Sequence, residues 1–360
     1  MINVFDITEF GAVGDGATDC TEAIRAACAA AEKVGGTVAV PPGVYLSGKF
    51  HLGKYVSLEG HAAWSFRSDG GSVIRLNDPE ADCLVDITGG FGCAMRHICL
   101  DGARLGQGIH GVKLSWPKHN GGSEEDTPSF DDCRIGNFTG DGVHLYHIWC
   151  FSMRHCMIHR NAGCGLFIDG WDGFIIDNWF TGNANGGVRG GEITASLTMT
   201  GNRVEWNRKG GFIFNRSDNI NIPGNFFDRS GGPAIWARGE SGKAWGYAVT
   251  GNIFRRDGNP AWDKFDSPYQ GSHILLDRCV NWTIQGNNFV AGEDDAPGGI
   301  PSPDYGVVFG NSKCIILRGN TMDCGAIKDC IVDLGNCTDM TVGDNPGQPV
   351  GNKDHWWPDL

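Results

Sequence analysis

The chain has 360 residues, of which 41% are hydrophobic and 20% charged, enough apolar side chains for a large core. Its 56 glycines far exceed the usual roughly 7% and follow no collagen period, so they mark many tight turns between short strands. The net charge of −13 excludes the basic footprint that phosphate binding needs, so nucleic acid is not an expected partner; it also disfavours an anionic polysaccharide over the surface as a whole.

In chain order, MINVFDITEF has neither the charged nor the apolar region of a secretory leader. No apolar run approaches the roughly 20 residues that span a bilayer. No membrane association is expected, and the expected location is cytoplasmic unless a leader has been removed. The 14 cysteines form no CxxC pair, and Cys99, Cys133, Cys150, Cys156 and Cys330 sit in apolar strand-like runs. Buried free thiols are expected rather than a disulfide set. Asp19 and Glu22 have the spacing of a capping box, the run Ala23 to Ala31 follows, and Gly35-Gly36 stops it. Such a helix closes the open end of a strand stack, whose bare edge would template aggregation.

Further along, a Gly-Asn pair recurs after a short apolar strand: Gly201-Asn202, Gly224-Asn225, Gly251-Asn252, Gly286-Asn287 and Gly319-Asn320. Asp177-Asn178 extends the column upstream, and Cys156 and Cys133 continue it. A repeat of about 23 residues with no helical period describes one coil of a stacked structure. Val143, Leu166, Val188, Phe212, Ile235, Ile274, Val307 and Ile331 form one interior stripe. The expected fold is all-β, a single right-handed parallel β-helix with an N-terminal capping α-helix. The cap covers about residues 1–50, the coils about 51–345, and a tail 346–360. Extra length places loops at 116–130, 229–247, 257–272 and 291–305, where function tends to gather.

FGAVGDGATDCTEAI (Phe10 to Ile24) and GGTVAVPPGVY (Gly35 to Tyr45) closely resemble the N-terminal signature of the pectate-lyase-like superfamily. The resemblance implies the β-helix fold and a range of activities: polygalacturonase-like hydrolases, glycan lyases, uronate epimerases, fructan-cleaving transferases and phage tailspikes. Of the polygalacturonase motifs only Asp131-Asp132 echoes the paired Asp, and the Arg and Lys pattern of calcium-dependent pectate lyases is missing.

Three positions after the ladder residue, successive coils carry His159, Thr181, Glu205, Asp228 and Arg255. Neighbouring strands lie about 4.8 Å apart, so Glu205 and Asp228 are expected to stack near the roughly 5–5.5 Å separation of retaining glycosidases. His159 and Arg255 bracket the pair, with Trp206 as a sugar platform and Arg229 as a hydroxyl clamp. A second cluster, Asp169, Asp172 and Asp177 beside Trp171 and Trp179, with Glu192 one coil on, offers calcium ligands or a more distant catalytic carboxylate. Both sets read equally as solvated turns. His144, His147, His155 and His159 lack a spacing that converges on strands, so no metal and no cofactor are expected. Of the 12 tryptophans, Trp149, Trp171, Trp179, Trp206, Trp236, Trp245 and Trp262 fall near middle-coil turns, where flat rings stack on sugars.

These features predict an enzyme that cleaves or transfers a glycosidic bond of a neutral oligo- or polysaccharide by paired carboxylates; a fructan is suggested by resemblance only. The alternatives are a polysaccharide lyase or uronate epimerase, and a non-catalytic glycan-binding or tailspike-like protein. A homotrimer is the expected assembly.

Overall fold

Each Gly-Asn pair is a bend: a left-handed residue followed by a buried amide. Gly201, Gly224, Gly251, Gly286 and Gly319 have φ of 65–68°, a conformation open to glycine without steric cost. Asp132, His155 and Asp177 hold the same position at φ 51°, 51° and 55° in the earlier coils, where a side chain costs roughly 1–2 kcal/mol. The computed structural model describes residues 3–61, 64–65, 70–118, 124–239, 244–262, 264–294 and 299–351.

The amides form the expected ladder. Each Oδ1 accepts the backbone N–H and the Nδ2–H of the preceding ladder Asn, from Asn202 through Asn225, Asn252, Asn287 and Asn320 to Asn345, at 2.8–3.0 Å. In the earlier coils the Cys156 N–H donates to Asn178 Oδ1 at 2.9 Å, and the Cys133 N–H to Cys156 Sγ at 3.5 Å. The two cysteines stack as free thiols, and all fourteen cysteines are unbridged.

The chain is a right-handed parallel β-helix divided into two compact units, Met1–Trp179 and Phe180–Leu360. In the first unit, strand Cys99–Asp101 pairs in parallel with Arg134–Gly136, and that strand with Met157–His159. On another face His110–Ser115 pairs with Val143–Arg154, and Val143–Arg154 with Leu166–Ile176. In the second unit Arg203–Glu205, Phe226–Asp228, Ile253–Arg255 and Asn288–Val290 stack in order. Phe212, Ile235, Ile274, Val307 and Ile331 are successive register partners, as are Val143 and Leu166, and the stripe is buried as expected except at Ile331, which is half-buried. Phe227, Phe254 and Phe289 stack inside it with centroids 4.9 and 4.8 Å apart.

The N-terminal helix runs Thr21–Glu32. The capping box does not form. Cys20 is the N-cap and makes no side-chain cap, because Asp19 Oδ1 is taken by the N–H and hydroxyl of Thr21, and Glu22 pairs instead with Arg25 at 2.7 Å. The C-terminal end is as expected: Gly35 is left-handed and the Gly36 N–H closes onto Ala31 O at 2.9 Å. Among the described residues no helix is long and apolar enough to cross a membrane. Of the expected loops, 119–123, 240–243, 263 and 295–298 lie outside the described residues, as does 352–360 of the tail.

Candidate functional site

Glu205 and Asp228 are register partners on adjacent strands, and Arg255 follows Asp228 in the same column. Both carboxylates are 1% exposed. Asp228 accepts from Arg256 at both oxygens, Nε to Oδ1 at 2.9 Å and Nη2 to Oδ2 at 2.8 Å, and from Arg229 Nε to Oδ2 at 2.9 Å. Glu205 Oε2 accepts from Arg203 Nε at 3.0 Å. Asp228 is thus gripped at both oxygens by the Arg256 fork and Glu205 is met by a guanidinium N–H of Arg203, a charge-assisted arrangement. It leaves Asp228 little bonding capacity for a substrate. Beneath it, burial and the Asp228 charge push the fully buried Asp257 carboxyl well above the usual range. Asp257 meets His273 Nδ1 at 3.2 Å, and burial pushes that ring down to about 3.

The residues expected around the pair are also engaged. The Arg229 guanidinium lies 4.3 Å over the Trp206 ring, covering one face of the expected platform rather than clamping a hydroxyl. Arg238 covers Trp236 in the same way at 4.3 Å. Arg255 is half-buried. His159 is 6% exposed and fills the space above Gly136, where a Cβ would stand 2.5 Å from His159 Nε2. Burial and the nearby Arg134 hold its pKa down to about 4, so it is a packed ring rather than an open shuttle. Asp177 is exposed at the bend position that glycine fills in later coils, and Glu192 is exposed within strand Val188–Thr200. The geometry gives Asp177 a turn role, which the Gly column already signalled.

A more open constellation lies in the first unit, on strands Val143–Arg154 and Leu166–Ile176. Their register slips between Tyr146 and Ile148, leaving His147 as an extra, left-handed residue at φ 61°. Opposite stands Gly170, where a Cβ would meet Ile148 O at 2.0 Å, so only glycine admits this approach. A second irregularity follows, with Cys150 at φ 61° and Asp172 at φ 63°. Bulges re-aim side chains and gather beside active sites. Here Tyr146 pairs in register with Asp169 and Trp149 with Trp171. Tyr146 stacks on His147 at 4.0 Å between centroids. His147 Nδ1 donates to Trp116 O at 3.0 Å, which turns Nε2 toward Asp169 Oδ1 at 3.9 Å. Asp169 is 3% exposed.

Carboxylates fix the indoles of this face. Trp149 Nε1 donates to Asp172 Oδ2 at 3.1 Å and Trp116 Nε1 to Asp126 Oδ1 at 2.9 Å. Burial pushes the Asp126 carboxyl up against the lowering effect of the Trp149 N–H and the Trp116 indole. Of the second sequence cluster, Asp169 thus stands beside Tyr146 and His147 while Asp172 holds the Trp149 indole and Trp171 is the register partner of Trp149, neighbours that no spacing rule had placed with them.

The four histidines do not share a site. His147 serves this face, His155 bonds Asp132 and stacks on Trp64 at 4.8 Å, and His159 is buried. His144 instead meets Asp141 and His110, and these three are the metal-capable group among the described residues. The paired Asp is dispersed: Asp131 bonds Arg154, while Asp132 bridges His97 and His155.

Two family descriptions match the sequence. A right-handed β-helix region covers residues 98–254 and 142–345. A rhamnogalacturonase A/epimerase, pectate-lyase-like family covers residues 2–77. Among solved structures, the A-module of the mannuronan C-5 epimerase AlgE6 from Azotobacter vinelandii superposes with TM-score 0.66 at 19% identity, covering 95% of this chain and 100% of that one. The DFA-IIIase of Arthrobacter chlorophenolicus A6, without its lid and in complex with GF2, gives 0.65 at 16% identity, covering 95% and 99%. The Dettilon tailspike protein gives 0.58 at 14%, covering 92% and 68%.

Proposed function

The chain belongs to the right-handed β-helix family within the pectate-lyase-like superfamily, and on that premise we propose that it is a carbohydrate-active enzyme that cleaves or transfers a glycosidic bond of a neutral glycan. The observation that carries this reading is the bulged strand face, where Tyr146, Trp149 and Trp171 flank Asp169 and Asp172. Aromatic faces hold sugar rings, and two carboxylates supply the acid and the base or nucleophile of glycosidic cleavage. In this reading Asp169 is one catalytic carboxyl, with the His147 ring beside it. Asp172, oriented by the Trp149 indole, is the other. Glu205 and Asp228 act as a buried ionic brace. Structural neighbours named as an epimerase of mannuronan and as a DFA-IIIase bound to GF2 are consistent with a glycan substrate.

A neutral sugar is favoured because the lysine of the adjoining strand, Lys113, is committed to Asp82 at 2.9 Å rather than turned to a uronate carboxylate. The second reading, elimination or epimerisation of a uronate, draws on the Tyr146–His147 stack, which suits proton abstraction beside a carboxylate. Product analysis on a panel of oligosaccharides separates the readings. New reducing ends or transfer products support cleavage, an unsaturated product absorbing in the near ultraviolet supports elimination, and no turnover of any glycan overturns both.

A further inference from the structure

We propose that His110, Asp141 and His144 form a three-ligand site for a divalent transition-metal ion of the zinc class. The donors come from successive turns of the first unit: His110 opens strand His110–Ser115, Asp141 precedes strand Val143–Arg154, and His144 is its second residue. Asp141 Oδ2 stands 2.7 Å from His144 Nδ1 and 3.5 Å from His110 Nδ1. Ligands on a tetrahedral ion with bonds of 2.0–2.1 Å stand about 3.3 Å apart, so these donors already span the required range. Two imidazoles and one carboxylate leave a fourth position open, the composition that suits zinc or a neighbouring first-row metal.

The surroundings are built to hold these donors. Asp141 Oδ1 accepts the Cys164 N–H at 2.7 Å, which fixes the carboxylate. Outer bonds of this kind orient ligands and are worth about 10–100-fold in metal affinity. The His144 ring is stacked on Phe167 at 4.7 Å and 10° and lies 4.3 Å from the His110 ring. Two glycines keep the turn clear: a Cβ at Gly163 would stand 2.3 Å from Asp141 Oδ1, and one at Gly140 2.9 Å from His110 Nδ1. The side chains are 20%, 12% and 20% exposed for His110, Asp141 and His144, so an ion has a path in from solvent. His110 Nδ1 also accepts the Asp141 N–H at 3.0 Å. Loading exchanges that bond for the ion, which makes His110 the weakest of the three ligands.

Equilibrium dialysis of the metal-stripped full-length protein against Zn²⁺, read by elemental analysis, tests the site. A single saturable equivalent is expected in the wild type. It weakens at least about tenfold in His144→Gln and in Asp141→Asn, and less in His110→Gln. Cobalt substitution supplies a readout independent of variant folding, because Co²⁺ in a low-coordinate histidine and carboxylate site gives strong visible d–d bands. Bands in the wild type, quenched by an equivalent of Zn²⁺, support the site. Absence of a saturable equivalent, absence of the bands, or equal binding by the folded variants overturns it.

Discussion

Glu205 and Asp228 face each other on adjacent strands, yet they are not a matched pair of open acids, because Asp228 is gripped by the guanidinium groups of both Arg229 and Arg256 while Glu205 takes Arg203. Removing one member of a buried ion network strands its partners without compensation. Asp228→Asn is expected to lower folding stability by about 3–5 kcal/mol, visible as a lowered melting temperature. Asp228→Asn that melts like the wild type but has lost all turnover would return this residue to the catalytic centre.

The asparagine ladder makes a second prediction. Asn252 accepts the N–H and the Nδ2–H of Asn225, while its own amide donates to Asn287 Oδ1 and Ile222 O. Asn252→Ala leaves buried donors and an acceptor unsatisfied, each costing about 1–3 kcal/mol. Thermal or chemical denaturation is expected to show a loss of several such increments. A change near zero would mean that water enters and replaces the amide.

Acid sensitivity follows from two buried rings. Burial lowers His273 to about 3, and burial with Arg134 lowers His159 to about 4, from the usual 6.5. Between these values the unfolded chain binds more protons, so stability falls as pH drops from about 6.5, by up to about 1.4 kcal/mol per pH unit for each histidine. Above pH 6.5 these two rings contribute no slope. The raised Asp257 carboxyl works in the opposite sense, gaining stability as pH falls, so the histidine contribution is read as a difference between variants whose melting temperatures are measured from pH 8 to pH 4. Relative to the wild type, His159→Gln is expected to lose less stability between about pH 6.5 and pH 4, and identical slopes would count against the buried-ring account.

The fold was legible because one residue type returns at one register position, and a backbone bend forces that recurrence: a left-handed residue, then an amide that must bond the next coil. A second column carries mixed chemistry and was not legible. Phe138 donates to Asn161, Asn183 to Asn207 and Ser230 to Asp257, so no single letter recurs. The arginine brace was half legible: Arg229 was read as a hydroxyl clamp rather than as an ion partner of Asp228, and Arg256, one residue after Arg255, was not singled out although charge patterning there could have revealed it. The bulge at His147 was hidden because an extra residue in a strand changes no composition, and only Gly170 hinted at the close approach. His110 and His144 meet through coil stacking, which linear spacing does not display.

The bulged strand face is tested most directly by one rate comparison. On whichever neutral glycan the wild type turns over, the initial rate of Asp169→Asn is measured beside the wild type, with the melting temperatures of both. The expected result is a fall of at least about 10²-fold, the scale of a lost general acid or base, with melting unchanged. A retained rate in Asp169→Asn, or a wild type that turns over no glycan, would contradict the account.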